Sequence, residues 1–422
     1  MRKTVITTTT AACTVAVLLT GCSSKASDSS DKSAAAGELK TDIGVTADTI
    51  KLGVLTDTSG PFKSGGLSAL YGHEIWAKEV NDDGGICGRK IELDTKDHGY
   101  KADNAVPLYE QMRTQDLGLI QLLGSPMLAA VKAKLTTDKM LAAVPSMASN
   151  NLDTGTIIST TATYDIEVIN GLAWLQKEGK IKDGDKIGAV YLQNEAGEDA
   201  MLGVNAYAKQ HNIEVLAAPV GATDTDLTTT VTKMKSDGAT AIVAMTSPAQ
   251  ASSLGVQMAA QGMKAPLLGW GPTYAPTLVS NPDVVAALKD NFYISGSAAA
   301  FTTDTPTAKK IQEEFKALGV SDPASSTIFV GYLSGLAWGA ILQKACDKGD
   351  MTRQGVMDAR TTVTNLKTDG LSGTLDFSDP GAPTTRETAI AQLDASAAGG
   401  TVQTAPLFVS DEAKKYKAPY QK

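Results

Sequence analysis

The side chains able to bind metals, attack carbonyls or move protons are few and scattered. Three histidines stand at positions 73, 98 and 211, and four cysteines at 13, 22, 87 and 346. There is no Cys-x-x-Cys, and no His-Glu-x-x-His helix face that would present two imidazoles to zinc. No Gly-x-x-x-x-Gly-Lys-Ser/Thr loop offers amides and a lysine to phosphates, no Gly-x-Gly-x-x-Gly opens a helix after a strand, and no Gly-x-Ser-x-Gly exposes a nucleophilic serine. The isolated histidines, two of them at surface-looking helix positions, are expected to be solvated or satisfied side chains rather than bases or ligands. Asp82-Asp83 reads as part of a turn, and Asp224-x-Asp226 as a helix cap that accepts orphan amides. These residues give no metal site, no cofactor and no enzyme of recognisable type. A catalytic constellation dispersed along the chain would leave no such trace.

The cysteines carry more information once the compartment is read. Residues 1–21 begin with Arg2 and Lys3, run through an apolar stretch peaking at Val15-Ala16-Val17-Leu18-Leu19, and end in small residues. That is the plan of a secretory leader, too short for a spanning helix. Its end, Leu19-Thr20-Gly21-Cys22, resembles the bacterial lipobox, which implies a lipidated Cys22 and an extracytoplasmic protein held to the cell membrane. The alternative is a plain leader, or a buried first helix, with a chance cysteine. The Ser-, Ala- and Lys-rich stretch that follows has no apolar period and reads as a flexible tether over 22–47. Cys13 leaves with the leader, so Cys87 and Cys346 remain, and an oxidising compartment makes a disulfide between them the natural use. Two inert buried thiols are the alternative.

Behind these residues stands a chain of 422, 42% hydrophobic and 20% charged, with a formal net charge of -8. It is long enough for two domains. An acidic balance of 46 Asp plus Glu against 38 Lys plus Arg lacks the basic stripe that nucleic acid needs. Apolar runs at 50–55, 91–94, 119–123 and 142–145 alternate with helix-length amphipathic segments near 67–82, 104–116 and 128–138. The pattern then repeats: helices near 165–178, 198–211, 226–236 and 248–261 alternate with apolar runs at 187–191, 213–220, 241–245 and 266–269. Three more helices are expected near 306–318, 328–346 and 352–365. Such alternation predicts parallel sheets covered by helices on both faces.

Leu52-Gly53-Val54-Leu55-Thr56-Asp57-Thr58-Ser59-Gly60-Pro61 and Glu79-Val80-Asn81-Asp82-Asp83-Gly84-Gly85-Ile86-Cys87-Gly88-Arg89-Lys90 resemble the opening of the leucine/isoleucine/valine-binding family of solute-binding proteins. Leu123-Gly124-Ser125, Val144-Pro145-Ser146, Asp224-Thr225-Asp226-Leu227 and Leu268-Gly269 fall at corresponding strand ends, so the resemblance spans about 48–395. It implies a type I periplasmic-binding fold: two doubly wound α/β lobes joined by three crossings. Lobe one is then 48–160 with 297–365, lobe two 161–296 with 366–410, and 411–422 a C-terminal tail. Cys87 and Cys346 fall in one lobe, which makes their bond possible.

The resemblance also implies a cleft beyond the strand ends, where loop amides and helix N-termini hold a ligand. Its candidate residues here are Ser125, Pro126 and Met127 after one strand, and Ser146, Met147 and Ala148 after the next. Ala196, Thr246, Trp270 and Tyr274 follow from the second lobe. Several departures stand out. Ala148 replaces the family's Thr, Ala196 and Gly65 replace aromatics, and Trp270-Gly271 occupies the place of the acid that binds ammonium. Without that acid an α-amino acid leaves its positive group unpaired. Met127, Met147, Met245 and Trp270 at strand ends suggest a ligand larger or less polar than a branched-chain amino acid, such as an organic acid or amide, with ordinary core packing as the alternative for each Met. Trp270→Ala is then expected to weaken binding with little change in stability. The implied function is solute capture for the permease and ATPase subunits of an ABC importer, by a monomer, with a ligand-sensing receptor subunit as the alternative.

Overall fold

The computed structural model describes residues 39–422. The leader, Cys22 and most of the tether lie outside the described residues. Residues 39–47, assigned to the tether from sequence, belong to the folded body. There β1 (Lys40–Thr41) pairs in parallel with β12 (Asp350–Met351), and Val45 is buried in the core.

The first lobe is built on a five-stranded, all-parallel sheet in the order β3-β2-β4-β5-β6. Its strands are β2 (Thr49–Thr56), β3 (Lys90–Asp97), β4 (Gly118–Leu122), β5 (Ala142–Val144) and β6 (Ile157–Ser159). Between them run α1 (Lys63–Asp82), α2 (Ala102–Met112) and α3 (Ser125–Asp138). β4 is buried at every residue, the continuous apolar run expected of a strand covered on both faces. Late in the chain come α9 (Pro306–Ala317), α10 (Thr327–Asp347) and α11 (Arg353–Arg360). Helix α10 lies directly on α1, where a Cβ at Gly331 would stand 2.0 Å from the Ala69 carbonyl. Cys346 on α10 is bonded to Cys87, with Cα atoms 5.9 Å apart, so the disulfide is present and the buried-thiol alternative falls.

The second lobe carries seven strands in the order β14-β13-β11-β10-β9-β7-β8. These are β7 (Lys186–Leu192), β8 (Glu214–Val220), β9 (Ala241–Met245), β10 (Leu267–Trp270), β11 (Phe292–Gly296), β13 (Thr388–Leu393) and β14 (Thr401–Phe408). The accompanying helices are α4 (Tyr164–Lys177), α5 (Glu195–Gln210), α6 (Thr228–Ser236), α7 (Pro248–Ala260) and α8 (Pro282–Leu288). Ser247 and Gln250 form a reciprocal cap at the start of α7, with Pro248 as first helical residue. A short α12 (Asp411–Lys415) seats Ala413 in the same core as α4. The chain crosses between lobes after β6, after β11 and before β13, giving two α/β lobes with three crossings.

Three local expectations change. Strands β13 and β14 are antiparallel, because the turn ending in Gly399-Gly400 folds the chain straight back. Helix α1 starts at Lys63, a turn earlier than the 67–82 expected, and takes Gly65 and Gly66 into its first turn. Helix α11 stops at Arg360, since Leu366 is taken into a bridge with Leu375. Among the described residues no helix is long and apolar enough to cross a membrane, and no group of three His, Cys, Asp or Glu is placed to hold a metal ion.

Candidate functional site

The strand ends of both lobes open on one cavity of about 1420 Å³, counting the part open to solvent. From the first lobe, the loop after β4 brings Gly124 and Ser125, and the loop after β5 brings Pro145 and Ser146. Gly124 has φ of 101°, and a Cβ there would stand 2.0 Å from the Met127 side chain and 2.8 Å from Tyr100. The loop therefore needs glycine to start α3 with Ser125 turned into the cavity. Phe62 and Tyr100, with ring centroids 4.5 Å apart, form an aromatic edge beside it.

The second lobe builds its wall from side chains on regular elements. Trp270, the last residue of β10, lies 4.4 Å from the Tyr164 ring, and its Nε1 donates to the Thr246 carbonyl at 3.2 Å. The Tyr274 hydroxyl donates to the Gly399 carbonyl at 2.6 Å, which pins that corner to the turn between β13 and β14. Ala196, Leu192, Ile294 and Ala389 add small and aliphatic surface. Burial pushes the Tyr164 hydroxyl well above the usual phenol range, opposed by hydrogen bonds from Ser146 and Ser125. Ser125, Ser146 and Tyr164 thus bring three hydroxyl-bearing residues to the same cavity.

One ionisable acid faces this space. Glu167, in the first turn of α4 and 2% exposed, accepts the Gly271 amide at 3.1 Å through Oε2, while the Ser297 hydroxyl stands 3.5 Å from Oε1. Burial raises its carboxyl to about 8, against the lowering effect of the Gly271 and Ser297 hydrogen bonds. Among the described residues the lining contains no Lys, Arg or His.

The structure brings Ser125, Ser146, Ala196, Trp270 and Tyr274 together around the cavity, and keeps Pro126, Met127, Met147, Ala148 and Thr246 out of its lining. Met127 and Met147 pack with Leu122, Val131 and Val144 under the first sheet, and Met245 is equally buried in the second lobe. Their apolar side chains turn into the layer between helix and sheet, the core alternative for methionine. Thr246 contributes its carbonyl to Trp270 while its side chain is buried. The Trp270 ring, 2% exposed, is part of the core as well as the wall, so Trp270→Ala is now expected to cost stability as well as binding. His73 is not on the surface either. It is 1% exposed, hydrogen-bonded to Gln121 at 2.6 Å, and burial pulls its pKa to about 4, which leaves it neutral.

Sequence reasoning missed Tyr164, Phe62, Tyr100 and, above all, Glu167. The Trp270-Gly271 loop carries no acid, as read from sequence, but its Gly271 amide donates to a carboxylate that helix α4 brings to the same wall. Its only sequence signal was a Glu on the apolar face between Ile166 and Val168.

The chain matches the periplasmic binding protein family model over residues 49–400. It belongs to that family. This periplasmic binding protein is similar to a fatty acid ABC transporter substrate-binding protein from Thermomonospora curvata, at 36% identity and TM-score 0.87, over 91% of this chain and 98% of that one. Two more distant structures share the fold. A branched-chain amino acid ABC transporter protein from Thermus thermophilus with bound valine has 17% identity and TM-score 0.74, covering 87% of this chain and 99% of that one. A solute-binding protein from Rhodopseudomonas palustris HaA2 in complex with p-hydroxybenzoic acid has 17% identity and TM-score 0.73, covering 86% and 97%. No curated protein sequence matches the chain. As a member of this family the protein is an extracytoplasmic substrate-binding protein of an ABC transporter, not an enzyme, and its partners are a small ligand and the transporter subunits.

Proposed function

We propose that this periplasmic binding protein captures a fatty acid, or a similarly elongated apolar carboxylic acid, and delivers it to its ABC transporter. The observation that carries the reading is the cleft lining: apolar and aromatic walls from both lobes, a cluster of hydroxyls, and no cation. Apolar walls supply binding energy in proportion to the surface they cover, and the few polar groups fix orientation. The T. curvata protein, similar along nearly its whole length, is described as a fatty acid binder, which supports the same ligand class. Its carboxyl end meets Ser125, Ser146 and the Tyr164 hydroxyl, and the chain lies along Trp270, Ala196 and Ile294.

A ligand that touches both walls is fully held only when the lobes close, so its binding energy shifts the population toward the closed form that the transporter recognises. The protein works as a monomer held to the membrane through lipidated Cys22. A thermal-shift screen tests the ligand assignment, because a molecule that binds only the folded state raises the melting temperature by mass action. Saturated fatty acids are expected to give the largest shifts. A larger shift from leucine, isoleucine or valine would overturn the reading.

A further inference from the structure

A lone buried acid in a binding cleft ordinarily suggests a cationic ligand. The surroundings of Glu167 argue otherwise. The Gly271 amide donates to Oε2 and the Ser297 hydroxyl approaches Oε1, so the carboxyl is fixed with its remaining face toward the cavity. No Lys, Arg or His shares the lining. An anionic ligand head entering beside an ionised Glu167 would place two negative charges together with no counterion, in a site largely removed from water.

Resting on the fatty acid reading, we infer that Glu167 is a specificity-determining residue that keeps its proton in the complex and donates it in a hydrogen bond to the ligand carboxylate. One proton then serves two carboxyl groups, and Tyr164, Ser125 and Ser146 complete the donor set around the ligand head. The arrangement favours a carboxylic acid over an amine, which would need Glu167 ionised, and over an alcohol, which uses the hydroxyls alone. Burial already favours the neutral form in the empty cleft, pushing the carboxyl up to about 8.

The cations on the elements packed around α4 are engaged with other groups than Glu167. Tyr164 and Asp165 share the helix, and Asp165 raises Glu167 further by like charge. Asp199 on α5 faces Asp165 and binds the Ser149 amide. Arg386, before β13, donates to the Ala413 carbonyl and to Gln421. On the α12 side, Glu412 stands beside His211 and Tyr416 bonds to Asp165. Tyr293 of β11 packs its ring at a tilt against Trp174 in the later turns of α4, with the Lys180 ammonium, just beyond that helix, over the Tyr293 ring. From the first lobe Tyr100 is held neutral by burial, which pushes it up to about 12.

The sign follows from linkage. If the ligand anion binds the protonated form, affinity is constant while free Glu167 is protonated, and falls about tenfold per pH unit once it ionises. The test is calorimetric titration of the purified protein with dodecanoate, below its micelle concentration, at intervals from about pH 6 to about pH 10, with dodecylamine and dodecanol at the same points. The expected result is a Kd that is flat to about pH 8 and then weakens at that slope, with net proton uptake approaching one per ligand near about pH 9. Glu167→Gln keeps a donor and cannot ionise, so it should bind at about pH 6.5 within a few-fold and lose the slope. Ser297→Ala removes a polar neighbour of Oε1, so the break should move to higher pH whatever the plateau affinity becomes once the Ala162 amide also loses its partner. This second variant reads the role even if Glu167→Gln folds poorly.

Dodecanoate binding that stays flat to pH 10, or a wild-type slope surviving in Glu167→Gln, overturns the inference and leaves the fatty acid reading standing. Tighter binding of dodecylamine than of dodecanoate also overturns it, because Glu167 would then be the carboxylate partner of an ammonium. No binding of dodecanoate, or of any fatty acid between about eight and eighteen carbons, overturns both.

Discussion

The two walls of the cleft are made differently. The first-lobe wall is a set of loops at the ends of parallel strands. Its polar groups are Ser146, two residues beyond β5, and Ser125, three residues beyond β4 at the very start of α3, where Gly124 holds it in place through a left-handed backbone. The second-lobe wall is made of side chains rising from regular elements, with Trp270 from the end of β10 and Tyr164 and Glu167 from the first turns of α4, all buried. Groups on loops can change without disturbing the core beneath them, whereas groups on a buried helix and strand serve the core and the ligand together. Polar recognition and stability are therefore separable on one side of the cleft and coupled on the other.

Trp270→Ala probes the coupled side and should have the largest effect. Truncating a buried aromatic costs about 3–5 kcal/mol. Because the ring also supports Tyr164, affinity should fall with stability, as urea unfolding and titration of the variant would show. A variant that loses affinity at unchanged stability would remove the coupling. Breaking the disulfide tests the opposite separation, since Cys87 and Cys346 lie in the first lobe away from the cleft lining. Cys87→Ser with Cys346→Ser should cost about 2–5 kcal/mol in unfolding and leave ligand affinity nearly unchanged.

Glu167 gives the second lobe a pH signature. Its folded value of about 8 lies above the ordinary 4.5, so the associated stability is fully present below the ordinary value and is lost as pH rises through about 8. The unliganded protein should lose stability across that window at up to about 1.4 kcal/mol per pH unit, and Glu167→Gln should remove that part of the slope. Equal slopes in the two proteins would show that Glu167 is already ionised in the empty cleft. The smallest effects belong to the loop wall. Ser125→Ala or Ser146→Ala should weaken binding of a carboxylic acid by about 1 kcal/mol each, with melting temperatures nearly unmoved.

The same division explains how much could be read from sequence. The alternation of runs such as Ala241–Met245 with amphipathic helices, and the strand-end serines, are local signals, so the two α/β lobes and the first wall were legible. The Cys87–Cys346 bond was legible because an extracytoplasmic setting favours disulfides and neither cysteine has metal-ligand spacing. Glu167 was not legible, since a Glu in an apolar helix face reveals its role only once β10 and β11 bring Gly271 and Ser297 to it. The strand-end methionines were misleading for a related reason. Their position was right, but the direction of each side chain depends on the layer into which its strand or helix turns. The antiparallel β13 and β14 depend on long-range pairing with β11, which no local pattern encodes.

The central claim is that the cleft accepts an apolar carboxylic acid. Calorimetric titration of the purified protein with dodecanoate and with leucine, near neutral pH and at two temperatures, tests it most directly. The account predicts saturable one-to-one binding of dodecanoate with a negative heat-capacity change from apolar burial, and little or no heat from leucine. Tight leucine binding with no dodecanoate binding would contradict it.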